Sequence, residues 1–165
     1  MLQRIQTVYL LVTFILTVLL FFLPMGYNVL GEGAVRAFEL NAVGAYQIIT
    51  DPSTSTTTTQ FVKGAWTLFA LVSIILGVTV YDILNFKRRL FQIRVAIFNM
   101  MLHLGIYALF AFYYFFLMPN QGVIHGSFQP NWTIVLPIVN VILTYLAIRA
   151  IGSDEALVRS LDRIR

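Results

Sequence analysis

Apolar residues fall into four long runs, Ile5–Leu23, Gly64–Leu84, Val95–Met118 and Trp132–Ala150, divided by polar or glycine-bearing stretches. At about 1.5 Å of rise per residue, each run can cross a hydrocarbon layer of roughly 30 Å as a helix. The pattern predicts an all-α membrane protein with four transmembrane helices, forming one domain over residues 1–165. The first run exceeds the usual apolar core of a signal peptide, about 7–15 residues, and no small-residue cleavage site follows it. It reads as a retained first span.

The segments between the runs predict less regular structure. Residues 24–63 contain Gly26, Gly31 and Gly33, which read as turns. Val35–Leu40 alternates apolar with polar or small residues, the period of a half-buried strand, and Tyr46–Thr50 is its expected partner across a bend at Asn41–Ala45. A small external β-hairpin is therefore expected to cap the bundle, with an amphipathic helix over Ala42–Ile49 as the rival reading. The polar run Asp51–Thr59 reads as a loop, because its composition cannot bury a core. Residues 119–131 form the second connection, with His125 near its centre. Asn131-Trp132-Thr133 matches a glycosylation acceptor, but the match adjoins the membrane and is of a kind common by chance.

Charge orients the spans. The chain is 59% hydrophobic and only 11% charged, against about 25% charged in an average soluble domain. Of its 11 basic residues, only Arg36 and Lys63 lie in the segment 24–63; the others lie before the first span, in the loop 85–94, or at the end of the fourth span and beyond it. Lys and Arg are retained in the cytoplasm on insertion, so both termini are expected there. The net charge of +4 is then a topology signal, and no nucleic-acid partner is expected.

Polar residues inside the runs are the first candidates for chemistry. Asn99, His103 and Tyr107 follow one another at intervals of four, on one face of the third span. Thr133, Pro137, Asn140 and Thr144 share a face of the fourth. Depths counted from the cytoplasmic ends pair His103 with Asn140 and Asn99 with Thr144. Structural hydrogen bonding is the favoured reading of this stripe, since a proton relay ordinarily uses carboxylates and none lies at mid-depth. Asp82 is the one acid within a span, and an ion pair with Arg94 or Arg149 is expected for it. Pro137 is expected to kink the fourth span. Ser73 and Gly77 form a small-residue face on which another helix can approach closely.

Two cytoplasmic segments carry the remaining signals. The loop 85–94 presents Lys87, Arg88, Arg89 and Arg94 among Phe86, Leu90, Phe91 and Ile93. Such a segment suits anionic lipid headgroups or an acidic protein partner. Gly152 is expected to end the fourth span, and Ser153 to cap a short amphipathic helix over 153–165 bearing Arg159, Arg163 and Arg165. Four spans already anchor the chain, so this helix reads as a docking element.

The opening Leu2-Gln3-Arg4-Ile5-Gln6-Thr7, the pair Gln92-x-Arg94 with Asn99, and the closing Asp154-Glu155-x-Leu157-Val158-Arg159-Ser160-x-Asp162-Arg163-x-Arg165 resemble a family of short four-span bacterial inner-membrane proteins, domain of unknown function 4293. The resemblance implies a Gram-negative cytoplasmic membrane and no particular activity.

No catalytic residues, metal ligands or cofactors are expected. The chain has no Cys, only two His, and no zinc or phosphate motif. The expected function is non-enzymatic: an accessory or scaffolding subunit that sits in the lipid bilayer, binds another integral membrane protein, and docks through the basic loop and tail. The alternative is an oligomeric transporter or a binder of small molecules or lipid, using the stripe of spans three and four.

Overall fold

The computed structural model describes residues 2–29, 36–50, 57–86, 88–117 and 127–162. Four helices carry most of the chain: α1 (Leu2–Phe22), α2 (Trp66–Leu84), α3 (Arg89–Phe112) and α4 (Leu136–Asp162). One π-helical turn, Tyr113–Leu117, extends α3, and a 3-10 turn, Trp132–Val135, leads into α4. The stretches Ile5–Phe22, Trp66–Leu84, Arg89–Phe116 and Trp132–Val158 are each long and apolar enough to cross a membrane.

Their burial is the reverse of a water-soluble protein's. Large apolar side chains such as Ile15, Ile74, Phe98 and Ile142 face outward, while Thr17, Thr79, Asn99 and Asn140 are buried. Lipid is the medium that makes this arrangement favourable. Each helix buries one narrow stripe. The buried positions are Gln6, Leu10, Thr13, Thr17 and Leu20 on α1, and Leu68, Val72, Ile75, Thr79 and Asp82 on α2. On α3 they are Gln92, Ala96, Asn99, His103, Ile106 and Phe110, and on α4 Leu136, Asn140, Thr144, Ala147 and Ile151. Every step is three or four, and the two alternate along α1, α2 and α3, the spacing of a coiled-coil seam.

The contacts divide the chain into two compact units. One comprises residues 1–18, 73–105 and 137–165; the other comprises 19–72 and 106–136. The second holds a five-stranded antiparallel sheet in the order β4-β3-β2-β1-β5, built from β1 (Gly26–Val29), β2 (Arg36–Leu40), β3 (Gly44–Thr50), β4 (Thr57–Gly64) and β5 (Ser127–Pro130). The hairpin expected between Val35–Leu40 and Tyr46–Thr50 is present as β2 and β3, with Leu40 opposite Ala45. Its bend is closed by Asn41: the backbone N–H donates to the Gly44 carbonyl at 3.1 Å, and the side chain accepts from the Gly44 N–H at 3.0 Å. Gly44 is required by proximity. A Cβ there would lie 2.7 Å from the Phe61 ring and 2.8 Å from the Lys63 carbonyl.

Five expectations change. Thr57–Thr59 belong to strand β4 rather than to a loop, and Gly26 belongs to β1 rather than to a turn. The connection after α3 supplies β5, which pairs with β1. Helix α4 does not stop at Gly152; it continues to Asp162, so residues 153–162 are the end of the fourth helix and not a separate element. Pro137 is the second residue of α4, where its missing N–H breaks no mid-helix bond. The Thr133 carbonyl that position would have bonded instead accepts the N–H of Leu136. Gly31, Gly33, Ser53–Thr56, Lys87, His125, Arg163 and Arg165 lie outside the described residues.

Candidate functional site

The first unit contains nearly all the buried polar side chains: Gln6, Thr13, Thr17, Thr79, Asp82, Gln92, Asn99, His103, Asn140 and Thr144. They occupy the stripes just described, so helix periodicity alone turns them toward one seam. Thr17 is its junction. Its Oγ1 accepts a hydrogen bond from Asn140 Nδ2 at 3.0 Å and lies 3.3 Å from His103 Nε2. It also lies 2.7 Å from the Thr13 carbonyl.

Proton bookkeeping follows from these partners. His103 Nδ1 is 2.9 Å from the Asn99 carbonyl, which can only accept, so Nδ1 carries a proton. In the neutral imidazole Nε2 is then an acceptor. The single Thr17 proton serves either Nε2 or the Thr13 carbonyl. The Asn99 side chain continues the seam by donating Nδ2 to Thr79 Oγ1 at 2.9 Å, and Thr79 passes its own proton to the Ile75 carbonyl at 2.8 Å. Thr144 donates to the Asn140 carbonyl at 2.7 Å. Gln6 ties α1 to α4 through the Ala150 carbonyl at 3.1 Å.

The expected pairs are therefore rearranged. His103 and Asn140 are joined through Thr17 rather than directly, and Asn99 meets Thr79 rather than Thr144. Tyr107 belongs to the other unit, where its hydroxyl donates to the Ile134 carbonyl. Thr13, Thr17 and Thr79 were not singled out from the sequence, although Gln6, Thr13 and Thr17 recur at steps of seven and four.

Asp82 departs most from expectation. It is fully buried, and among the described residues neither carboxylate oxygen has a hydrogen-bond partner. The expected ion pair is not made, since Arg94 and Arg149 are both exposed. Gln92 approaches only the Asp82 backbone, donating Nε2 to its carbonyl at 3.3 Å. Asn99 Oδ1 and Asn140 Oδ1 are likewise buried without a donor.

The basic segments meet at the start of α3. Arg89 is 2.9 Å from the Asp154 carboxylate and 4.0 Å from that of Glu155, and its Nη1 donates to the Asp154 carbonyl at 3.3 Å. A groove of about 620 Å³ lies beside this pair, lined by Phe86, Arg88, Leu90, Phe91, Glu155 and Val158 among others. Arg88 is exposed, and Arg159 is placed only as a position on α4. Gly77 is exposed, with nothing within 4 Å of where its Cβ would be.

In the other unit Asn131 has structural work. Its amide donates to the Pro24 carbonyl at 2.9 Å and its oxygen accepts the N–H of Trp132 at 2.8 Å, so both polar atoms of the glycosylation match are engaged.

A search of curated protein sequences returns no match. The family model described as Domain of unknown function (DUF4293) matches residues 2–164, and over nearly its whole length the chain belongs to that family.

Proposed function

We propose that this protein is a non-enzymatic, multi-pass subunit of a bacterial cytoplasmic membrane, with both termini in the cytoplasm, and that it docks another integral membrane protein through the surface shared by the start of α3 and the end of α4. The observation that carries the reading is the groove beside Arg89. Phe86, Leu90, Phe91 and Val158 are exposed around it, with Arg88 and Glu155 among its lining. At about 1.5 Å per residue, α4 is roughly 40 Å long, which exceeds a hydrocarbon layer of roughly 30 Å. Its last turns, with exposed Leu157 and Val158, thus extend apolar surface beyond the core of the bilayer. An apolar patch edged by unlike charges is the makeup of a protein-binding surface. Anionic headgroups bind the same basic edge.

The matching partner presents an apolar ridge with an acidic group against Arg88. Purification of the tagged full-length chain in mild detergent tests this. A stoichiometric second membrane protein that dissociates from an Arg88→Glu, Phe91→Ser variant, with the variant's own abundance unchanged, supports the reading. Recovery of the chain only as a homo-oligomer counts against it and favours the transporter alternative, for which the polar seam is the available pathway.

A further inference from the structure

We propose that Asp82 anchors a binding site for a small alkali cation, with Thr79 and Asn99 supplying further oxygens. This goes beyond the docking reading and does not depend on it. The argument begins with charge. A bare carboxylate removed from solvent is strongly unfavourable and is neutralised by a proton, a basic side chain or a cation. Among the basic side chains described in this unit none serves: Arg88, Arg94 and Arg149 are exposed, and Arg89 is held by Asp154 and Glu155.

The hydrogen-bond inventory separates the other two. The buried side-chain atoms without a partner are all oxygens: both of Asp82, Oδ1 of Asn99 and Oδ1 of Asn140, together with Asp154 Oδ2, which lies 2.9 Å from Arg89. No buried side-chain donor is left over among the described residues. A proton on Asp82 would cancel its charge and supply one donor, enough for one of these oxygens. A cation serves several oxygens at once.

Of these, the Asp82 and Asn99 oxygens are carried by α2 and α3, two helices that Asn99 and Thr79 join. Thr79 and Asp82 are three apart on the buried stripe of α2, a spacing that makes side chains neighbours. Asn99 is bonded to Thr79, and Gln92 to the Asp82 backbone, so α3 follows this part of α2 from both sides of Asp82. Between Gln92 and Asn99 the buried α3 position is Ala96, a small side chain. The donor set is hard oxygen with one formal negative charge. That matches a monovalent cation better than a divalent or transition metal. Asp82 is two residues from the end of α2, about 3 Å of rise, so an ion has a short path from the aqueous phase.

The test is thermal unfolding of the purified full-length protein in detergent, with NaCl exchanged for choline chloride at constant ionic strength. The midpoint is expected to rise saturably with Na⁺, by about 5 °C. Asp82→Asn, nearly the same shape without the charge, should abolish the rise, and Thr79→Val should move its half-saturation to at least about tenfold higher Na⁺. An identical midpoint in the two salts overturns the proposal, as does a rise that survives Asp82→Asn. Should Asp82→Asn fail to fold, equilibrium binding of radioactive Na⁺ to the unmodified protein decides. Saturation near one ion per chain, displaced by unlabelled NaCl but not by choline, supports the site, and absence of saturable binding overturns it.

Discussion

The two compact units solve the same problem with opposite cores. In the unit containing residues 73–105, the buried stripes carry ten polar side chains, among them Thr17, Asn99, His103 and Asn140. Among the described residues of the unit containing the sheet, the buried side chains are almost all apolar, Leu20, Leu40, Leu68 and Ile106 among them, with Thr133 the polar exception. Between helices in lipid, apolar burial gives little net drive, since the tails are as apolar as leucine; packing and hydrogen bonds hold the helices instead. The polar unit thus uses directional bonds that fix which helix faces which. The other unit has a sheet ladder, whose backbone bonds fix register without polar side chains. Each unit obtains specificity, one through side chains and one through main chain.

The largest test of this contrast is in the apolar core. Leu68→Ala should destabilise the protein by about 3 kcal/mol through the cavity it leaves, read as a lowered unfolding midpoint in detergent. A loss below that of any polar-seam variant would reverse the ranking of the two cores. Next comes the sheet. Gly44→Ala forces a methyl against the Lys63 carbonyl and should cost about 2 kcal/mol, with faster proteolysis within β3 and β4 as its signature. In the polar seam, Thr17→Val keeps the shape but leaves the Asn140 amide and the His103 ring without their shared oxygen. About 1.5 kcal/mol should be lost, and Thr17→Ser should restore most of it. Equal stabilities for Val and Ser would mean that the seam packs by shape alone. The smallest effect belongs to Arg89→Ala. Its ion pair with Asp154 is partly solvated, with side-chain exposures of 21% and 15%, and its loss should change the midpoint by no more than about 0.5 kcal/mol.

Much of this was legible in the sequence, and the exceptions have physical reasons. Spans were visible because lipid demands long apolar runs. Asn99, His103 and Asn140 stood out because amides and imidazole are rare in such runs. Thr13, Thr17 and Thr79 did not, because threonine bonds its own helix backbone and so passes as an apolar residue. Thr13 and Thr79 do so here, to the carbonyls of Tyr9 and Ile75, Thr17 Oγ1 lies 2.7 Å from the Thr13 carbonyl, and Thr17 and Thr79 still accept from a neighbouring helix. The threonine run was read by its polarity, whereas its β-branched side chains favour strand, and Thr57–Thr59 enter β4. Strand β5 carries no local pattern; it exists because β1 offers an edge. Gly152 lowers helix propensity without ending a helix that runs on to Asp162. Asp82 stands out as the one acid within a span, but its surroundings do not follow from its neighbours in sequence. Nearness in sequence to basic residues said nothing about the faces they occupy, and Arg94 turns outward.

The pairing of β1 with β5 has a consequence for how the chain is made. Val29 lies opposite Ser127, about a hundred residues later. When β1 emerges from synthesis its outer edge has no mate, and it stays without one until two further helices have been threaded and the strand after them delivered to the same side. Closing so long a loop is entropically slow, so this edge is completed late. A nascent chain halted after α3 would carry an open strand, a ready point of attachment for a chaperone or for the wrong neighbour.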